Sequence, residues 1–108
     1  MSDLDLKPKT ETKARPARPP LYRVLLLNDD FTPRDFVVIV LRSIFRLGTD
    51  RARGVMLTAH RRGLCVVAIY TRDVAETKAA QATEAGRREG YPLTFQVEPE
   101  TAGDSGGD

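Results

Sequence analysis

Apolar and polar residues fall into separate blocks along the chain, and the spacing inside each block indicates a structural element. Residues 21–27 form an almost unbroken apolar run before a polar turn, which is typical of a buried strand. A helix should follow, with Thr32 as its N-cap, Pro33 as its first residue, Asp35 three positions after the cap and Gly48 at its end. Its apolar residues share one helical face: Phe36, Val37, Val40, Leu41, Ile44 and Phe45.

The rest of the chain continues in the same way and completes a set of six elements. They are a helix capped by Thr49 that runs through Arg62 and stops at Gly63, a strand over 64–70, a helix over about 72–89 capped by Thr71 and ended by Gly90, and a strand over 92–97. The predicted order is therefore β-α-α-β-α-β. Because three strands cannot bury both faces of a sheet by themselves, we expect an α+β fold in which three helices cover a three-stranded antiparallel sheet.

Both ends of the chain differ in composition from the middle. Residues 1–20 contain four of the seven prolines, five Lys or Arg, three Asp or Glu and almost nothing apolar. Such a segment cannot bury enough surface to offset the entropy of ordering it, so we predict a disordered N-terminal arm. Residues 100–108 are rich in Gly, Ser and Asp and are predicted to form a disordered tail. A single domain over residues 21–99 remains, large enough for one modest core.

Composition and charge exclude several classes of protein. The 17 Lys and Arg residues against 15 Asp and Glu give a net charge of +2, which is too even for a dedicated nucleic-acid binder. No apolar run approaches the ~20 residues that span a bilayer, and the N-terminus lacks the apolar stretch of a signal peptide. With one cysteine, Cys65, and one histidine, neither an internal disulfide nor a structural zinc site is expected. We therefore expect a cytoplasmic protein without metal or cofactor, and without a membrane or nucleic-acid partner.

Three short polar residues, Asn28, Asp29 and Asp30, lie between the apolar strand and the first predicted helix. One interpretation is a simple turn, because Asn and Asp tolerate turn geometry and bond their own backbone. The other is a site for a cation or an amine, since clustered carboxylate and amide oxygens attract a positive group. Two adjacent Asp residues without a third spaced carboxylate do not match a calcium loop.

His60 is the only histidine, and it shares a face of the second predicted helix with Met56 and Ala59. A histidine in that position is ordinarily a packed residue with hydrogen-bond partners. No Ser or Cys nucleophile is recognisably paired with it, so catalytic-triad chemistry is not supported. Met56 fits a core position, but methionine also lines adaptable apolar pockets because it is flexible and polarizable.

Asp73 opens the third predicted helix, where a negative charge complements the helix dipole. The run over residues 73–78 fits either a solvated face or a partner surface, and its spacing does not decide between them.

Together these segments resemble the ClpS family, bacterial adaptors of the Clp protease that deliver N-degron substrates. The matching stretches are YRVLLLNDDFTP over 22–33, MLTAH over 56–60, TRDVAETK over 71–78 and YPL over 91–93. They cover nearly all of the predicted domain in the order of the family. None of these stretches is specific alone, but their combination is.

The resemblance implies a small non-catalytic adaptor and assigns a role to each matching position. Asn28, Asp30 and His60 would hold the free α-amino group of a substrate's first residue, and Asp29 would help to anchor the neighbouring peptide backbone. The side chain of that first residue would enter a pocket lined by Thr32, Val37, Met56 and Leu93. Docking to the N-terminal domain of the ClpA unfoldase would involve Asp73, Thr77 and Lys78. The arm would be the segment that the unfoldase engages, and we expect the adaptor to be a monomer.

Two pocket positions depart from the family. Arg34 stands where the family commonly has a methionine that gates the pocket, and Ala59 stands where a branched aliphatic residue is common. A smaller residue at 59 should enlarge the pocket, and Arg34 can stack on an aromatic ring. Among substrates that begin with Phe, Tyr, Trp or Leu, we therefore expect the aromatic ones to bind more tightly than Leu.

Three other functions remain as alternatives. A Clp regulator would dock through Asp73 and Lys78 but would have lost N-degron recognition because of Arg34. A small enzyme would use Asp29, Asp30 and His60 for acid–base chemistry, although no nucleophile, phosphate loop or metal set accompanies them. Nucleic-acid binding by the basic arm lacks interleaved aromatic residues.

Overall fold

The computed structural model describes residues 18–100 and contains the six predicted elements in the predicted order. They are β1 (Leu21–Leu27), α1 (Arg34–Ser43), α2 (Thr49–Arg62), β2 (Leu64–Thr71), α3 (Arg72–Arg88) and β3 (Thr94–Pro99). Three helices and a three-stranded antiparallel sheet confirm the predicted α+β fold. Most of the predicted arm, residues 1–17, and most of the predicted tail, residues 101–108, lie outside the described residues, so their predicted disorder stays a prediction.

The strand with the most buried residues, β1, occupies the centre of the sheet, whose strand order is β2-β1-β3. Its register with β2 shifts between Val24 and Leu25, where β2 contains one extra residue. Val24 and Leu26 belong to the buried core, as do Phe95 of β3 and Val67 of β2. Leu25, on the other face of β1, is buried as well, so the middle of the strand is covered on both faces, which accounts for its largely apolar run.

The helices supply the other half of the core. Buried residues of α1 and α2 recur at helical spacing, and α3 contributes alanines and a glycine, which allow it to approach the sheet closely. On the opposite side of the sheet, Leu21, Leu64 and Ile69 remain exposed. Within residues 18–100, no helix is both long and apolar enough to cross a membrane.

Two predicted N-caps were wrong by one residue. Pro33 occupies the N-cap position of α1, and the Thr32 hydroxyl instead donates to Asp29 Oδ2 at 2.9 Å. Donation to a carboxylate gives a charge-assisted hydrogen bond, which is stronger than a neutral one, so the Thr32 hydroxyl turns towards Asp29. At α2 the N-cap is Gly48, and Thr49 is already helical. Thr71 does occupy the N-cap of α3, but its side chain makes no capping hydrogen bond.

The first helix ends earlier than predicted, at Ser43 rather than at Gly48. Arg46 adopts the left-handed conformation with φ of 59°, and the Leu47 N–H then bonds the Leu41 carbonyl at 3.2 Å. Phe45 keeps its predicted place in the core although it lies beyond the helix, because its ring packs against that of Phe95. The two ring centres are 5.2 Å apart.

Glycines end the other two helices as predicted. Gly63 takes φ of 97° at the end of α2, and Gly90 takes φ of 81° after α3. At α3 the Gly90 N–H bonds the Arg87 carbonyl and the Tyr91 N–H bonds the Gly86 carbonyl, both at 2.9 Å. This Schellman motif reverses the chain directly over the last turn of α3, and β3 consequently begins at Thr94 rather than at residue 92.

Candidate functional site

One cavity of about 330 Å³ opens where β1 leaves the sheet. Its lining includes every residue that the sequence assigned to the amine site and to the side-chain pocket, namely Asn28, Asp29, Asp30, Thr32, Arg34, Val37, Met56, Ala59, His60 and Leu93. These residues come from the 28–34 segment, α1, α2 and the approach to β3. The fold therefore brings together ten positions that are spread over 66 residues of sequence.

A backbone hydrogen bond joins the two polar parts of the cavity. The Asn28 N–H donates to the Gly63 carbonyl at 2.9 Å, immediately after β1 and immediately after α2. Because His60 lies in the last turn of α2, this bond holds the start of the polar turn beside the histidine. Gly63 can make the bend only because its φ of 97° suits glycine.

Asp29 organises the turn that follows Asn28. Its Oδ1 accepts hydrogen bonds from the Phe31 N–H at 2.8 Å and the Thr32 N–H at 2.7 Å, while Oδ2 accepts from the Thr32 hydroxyl at 2.9 Å. This is an Asx-type turn, in which a short carboxylate replaces backbone acceptors. Asp29 thus holds the polar turn in shape, as the turn interpretation of this segment predicted; the predicted contact of Asp29 with a peptide stays a prediction.

The cavity combines an apolar interior with a polar rim. Val37, Ala59 and Leu93 are buried, and Thr32 is buried as well, with its hydroxyl satisfied by Asp29. Around the opening, Asn28, Asp30, Arg34 and His60 are exposed to solvent. Within residues 18–100 the Asp30 carboxylate has no hydrogen-bond partner, so it is free to accept from a ligand.

Arg34 and His60 meet across the rim, with Arg34 Nη2 lying 2.8 Å from His60 Nε2. A guanidinium has only donors, so this contact requires the lone pair of Nε2 and leaves the ring proton on Nδ1. While the bond is made, Nε2 cannot accept from a second donor. Arg34 is exposed, and moving its long side chain would make the acceptor available again.

The cavity lining also includes four residues that sequence reasoning missed: Leu26, Leu27, Phe31 and Pro33. Leu27, Phe31 and Pro33 directly adjoin predicted site residues, and that adjacency was the available signal; Leu26 lies two residues before Asn28. Among these four residues Phe31 is notable for its exposure: 79% of the residue's surface is accessible to solvent, on a turn that Asp29 holds in place.

The predicted docking residues lie on α3, away from the cavity. Asp73, Thr77 and Lys78 line a shallow depression together with Val74 and Gln81. The Lys78 ammonium already has partners inside the domain. It donates a hydrogen bond to the Ile44 carbonyl at the end of α1, at 2.9 Å, and lies 5.8 Å from the centre of the Tyr70 ring. Burial raises the pKa of the Tyr70 phenol. Lys78 thus ties α3 to α1 and also borders this depression.

Within the described part of the chain, no three His, Cys, Asp or Glu residues group in a way that could hold a metal ion. Burial raises the pKa of the Cys65 thiol above its ordinary value, which disfavours the nucleophilic thiolate. The cavity lining offers hydrogen-bond acceptors, one guanidinium and an apolar recess, and this combination suits a ligand with a cationic donor group and an apolar side chain.

Comparisons with known proteins agree with this geometry. Residues 17–96 match the family model described as "ATP-dependent Clp protease adaptor protein ClpS". The ATP-dependent Clp protease adapter protein ClpS 2 of Mesorhizobium japonicum is 58% identical over 100 residues, covering 93% of this chain and 99% of that protein. ClpS 1 of Rhodopseudomonas palustris is 61% identical over 102 residues, covering 93% and 99%.

A solved structure matches as well, that of Agrobacterium tumefaciens ClpS2 bound to L-phenylalaninamide. It is 57% identical, covers 77% of this chain and 100% of that chain, and superimposes with a TM-score of 0.75. The family model and the relatives match most of this chain at high identity, and the predicted resemblance is confirmed. The chain belongs to the ClpS family of Clp protease adaptors.

Proposed function

We propose that this adaptor binds the free α-amino group and the bulky apolar first residue of N-degron proteins and delivers them to the ClpA unfoldase. The observation that carries the proposal is the single cavity in which all ten predicted binding residues meet, with acceptors on its rim and an apolar interior. The phenylalaninamide bound by the Agrobacterium relative supports it, since that molecule has a free α-amino group, a phenyl side chain and an amide where a peptide chain would continue.

The rim suits a chain end because an α-ammonium group differs from an internal peptide nitrogen. It carries a charge and three donors, whereas the peptide nitrogen offers one donor and no charge. Asn28, Asp30 and, once released by Arg34, His60 supply acceptors for those donors. Each charge-assisted bond contributes about 1.5–3 kcal/mol. Burial of a Leu or Phe side chain adds about 1.5–3 kcal/mol, and association costs reduce the total to micromolar-scale binding.

Delivery requires a second surface, which we assign to the depression on α3. Asp73 and Thr77 are exposed there, and Val74 is 41% exposed beside them, so the depression offers both polar and apolar contact to the N-terminal domain of ClpA. Substrate cavity and docking surface have no lining residue in common, so one monomer can hold both partners at once. The unfoldase would engage the arm over residues 1–20 during delivery. Delivery would take place in the cytoplasm.

The test is a set of peptides that differ only at their start, with binding measured by fluorescence anisotropy. Peptides beginning with Phe, Tyr, Trp or Leu should bind, whereas the same Phe peptide extended by one N-terminal Gly should bind at least tenfold more weakly. Equal affinity for the Phe and Gly-Phe peptides would refute end recognition.

One observation favours a second function, that of a Clp regulator without N-degron recognition: the Arg34 guanidinium occupies the His60 acceptor. This alternative requires normal binding to the ClpA N-terminal domain, no binding of any peptide in the set, and recovery of peptide binding in Arg34→Met. The N-degron adaptor instead requires peptide binding by the unaltered chain.

Arg34 should favour aromatic first residues, and Arg34→Met should reduce that preference. A guanidinium stacked on a ring contributes about 0.5–1 kcal/mol, so the ratio of Leu to Phe dissociation constants should fall by roughly two- to fivefold. Arg53→Met is the matched control, because Arg53 is exposed on α2 and does not line the cavity. Tighter binding of Leu than of Phe by the unaltered chain would overturn the prediction.

A further inference from the structure

Gly86, a buried residue near the end of α3, lies directly against Leu93. A Cβ atom at position 86 would be 2.8 Å from Leu93 Cβ and 3.3 Å from Leu93 Cδ2. The first distance is well inside the ~3.5–4.0 Å at which carbon atoms attract each other. Glycine is among the least favourable residues inside a helix, so its presence here is accounted for by the space that Leu93 occupies.

The chain between these two residues is tightly held. The Tyr91 N–H bonds the Gly86 carbonyl at 2.9 Å, and the Tyr91 ring packs edge-on against Phe36 of α1 at 5.0 Å. Three residues after Tyr91, β3 begins and pairs with β1, Thr94 lying opposite Leu27. Leu93 is therefore fixed between a helix end and a strand, and α3 supports it from behind.

On its other side Leu93 lines the cavity, and it is only 2% exposed. Leu93 also belongs to the buried core cluster, so the cavity is the open space beside it that can take a displacement away from α3. Because Gly86 has no Cβ atom, the Leu93 side chain can pack closer to α3, and therefore farther from the centre of the cavity, than it could beside a larger residue. The volume available to a ligand side chain depends on a residue that does not line the cavity.

We propose that Gly86 is a positioning residue that sets the depth of the side-chain pocket and so admits the largest first residues, tryptophan above all. This inference rests on the proposed function, in which the cavity receives the first side chain of a substrate. Gly86 acts together with Ala59, which lines the same cavity and is also small.

The principal test is Gly86→Ala, with dissociation constants measured for peptides beginning with Trp, Phe and Leu. Moving Leu93 to an ordinary contact distance requires a shift of about 0.7 Å into the cavity. Affinity for the Trp peptide should fall by about tenfold or more, that for Phe by less, and that for Leu by under about twofold. Equal losses for the three peptides, or no losses, would overturn the proposal.

Gly54→Ala is the matched control. Gly54 is also a helical glycine, but a Cβ atom at that position would have no atom within 4 Å apart from its chain neighbours and its own helix backbone. That variant should leave all three affinities unchanged. A second variant, Leu93→Val, keeps the proposal testable if Gly86→Ala does not fold, which a thermal melt would reveal. It removes one methylene from the floor of the pocket and should raise the affinity for Trp relative to Leu; an unchanged ratio would refute the role of Leu93.

Failure of this inference is distinguishable from failure of the proposed function. If the unaltered chain does not distinguish a Phe peptide from its Gly-Phe extension, end recognition is wrong. If it does distinguish them and Gly86→Ala leaves the ratios of the affinities for Trp, Phe and Leu peptides unchanged, only the role of Gly86 is wrong.

Discussion

Acetylation of the α-amino group of a Phe-initiated peptide is expected to weaken its binding by at least about 100-fold. The acetylated nitrogen is an uncharged amide with one donor, whereas the free amine carries a charge and three donors. Loss of two charge-assisted hydrogen bonds costs about 3–6 kcal/mol, and 1.4 kcal/mol corresponds to a tenfold change in Kd. Isothermal titration of the free and acetylated peptides measures this difference directly.

An Asp30→Asn variant locates the effect at the rim of the cavity. Asp30 is exposed and its carboxylate has no hydrogen-bond partner in residues 18–100, so its charge contributes little to folding. The variant should bind the free peptide about tenfold more weakly than the unaltered chain, while both bind the acetylated peptide equally poorly. If acetylation weakened binding but Asp30→Asn bound the free peptide as tightly as the unaltered chain, the amine site would be assigned to the wrong part of the molecule.

The fold could be predicted from the sequence because local and tertiary signals agree. The apolar run of β1, the helical spacing of the apolar residues in α1 and the glycines after α2 and α3 each indicated the element that the structure contains. The helix starts were predicted less well. Thr32 and Thr49 are both good N-cap residues, but which residue serves as cap depends on competing partners, and Asp29 takes the Thr32 hydroxyl.

The members of the candidate site could be predicted, but their interactions with one another could not. Residues of the 28–34 segment, α1, α2 and the 91–93 segment meet in one cavity, in agreement with the family resemblance. The contact between Arg34 and His60 joins residues 26 positions apart and depends on side-chain conformation, which no local pattern reports. Gly86 lies outside the matching motifs, and its relation to Leu93 becomes visible only when the distance between them is known.

Asp29 and Asp30 are adjacent in sequence, yet substitutions at the two positions should have different effects. Asp29→Ala removes the acceptor of three hydrogen bonds that hold the polar turn. Hydrogen bonds to a charged group contribute about 1.5–3 kcal/mol when buried, and the partial exposure of this turn reduces the expected total loss of folding free energy to about 1–3 kcal/mol. Asp30→Ala should leave the folding free energy within about 0.5 kcal/mol of its original value.

Chemical denaturation and peptide titration of the same variants separate the two roles. Asp29→Ala should lower the free energy of unfolding and weaken every peptide of the set by a similar factor, because it acts through the shape of the turn that carries Asp30 and Thr32. Asp29→Asn keeps the Oδ1 acceptor for the Phe31 and Thr32 amides and should lose less than the alanine variant. Unchanged stability of Asp29→Ala together with abolished peptide binding would instead make Asp29 a direct ligand of the substrate backbone.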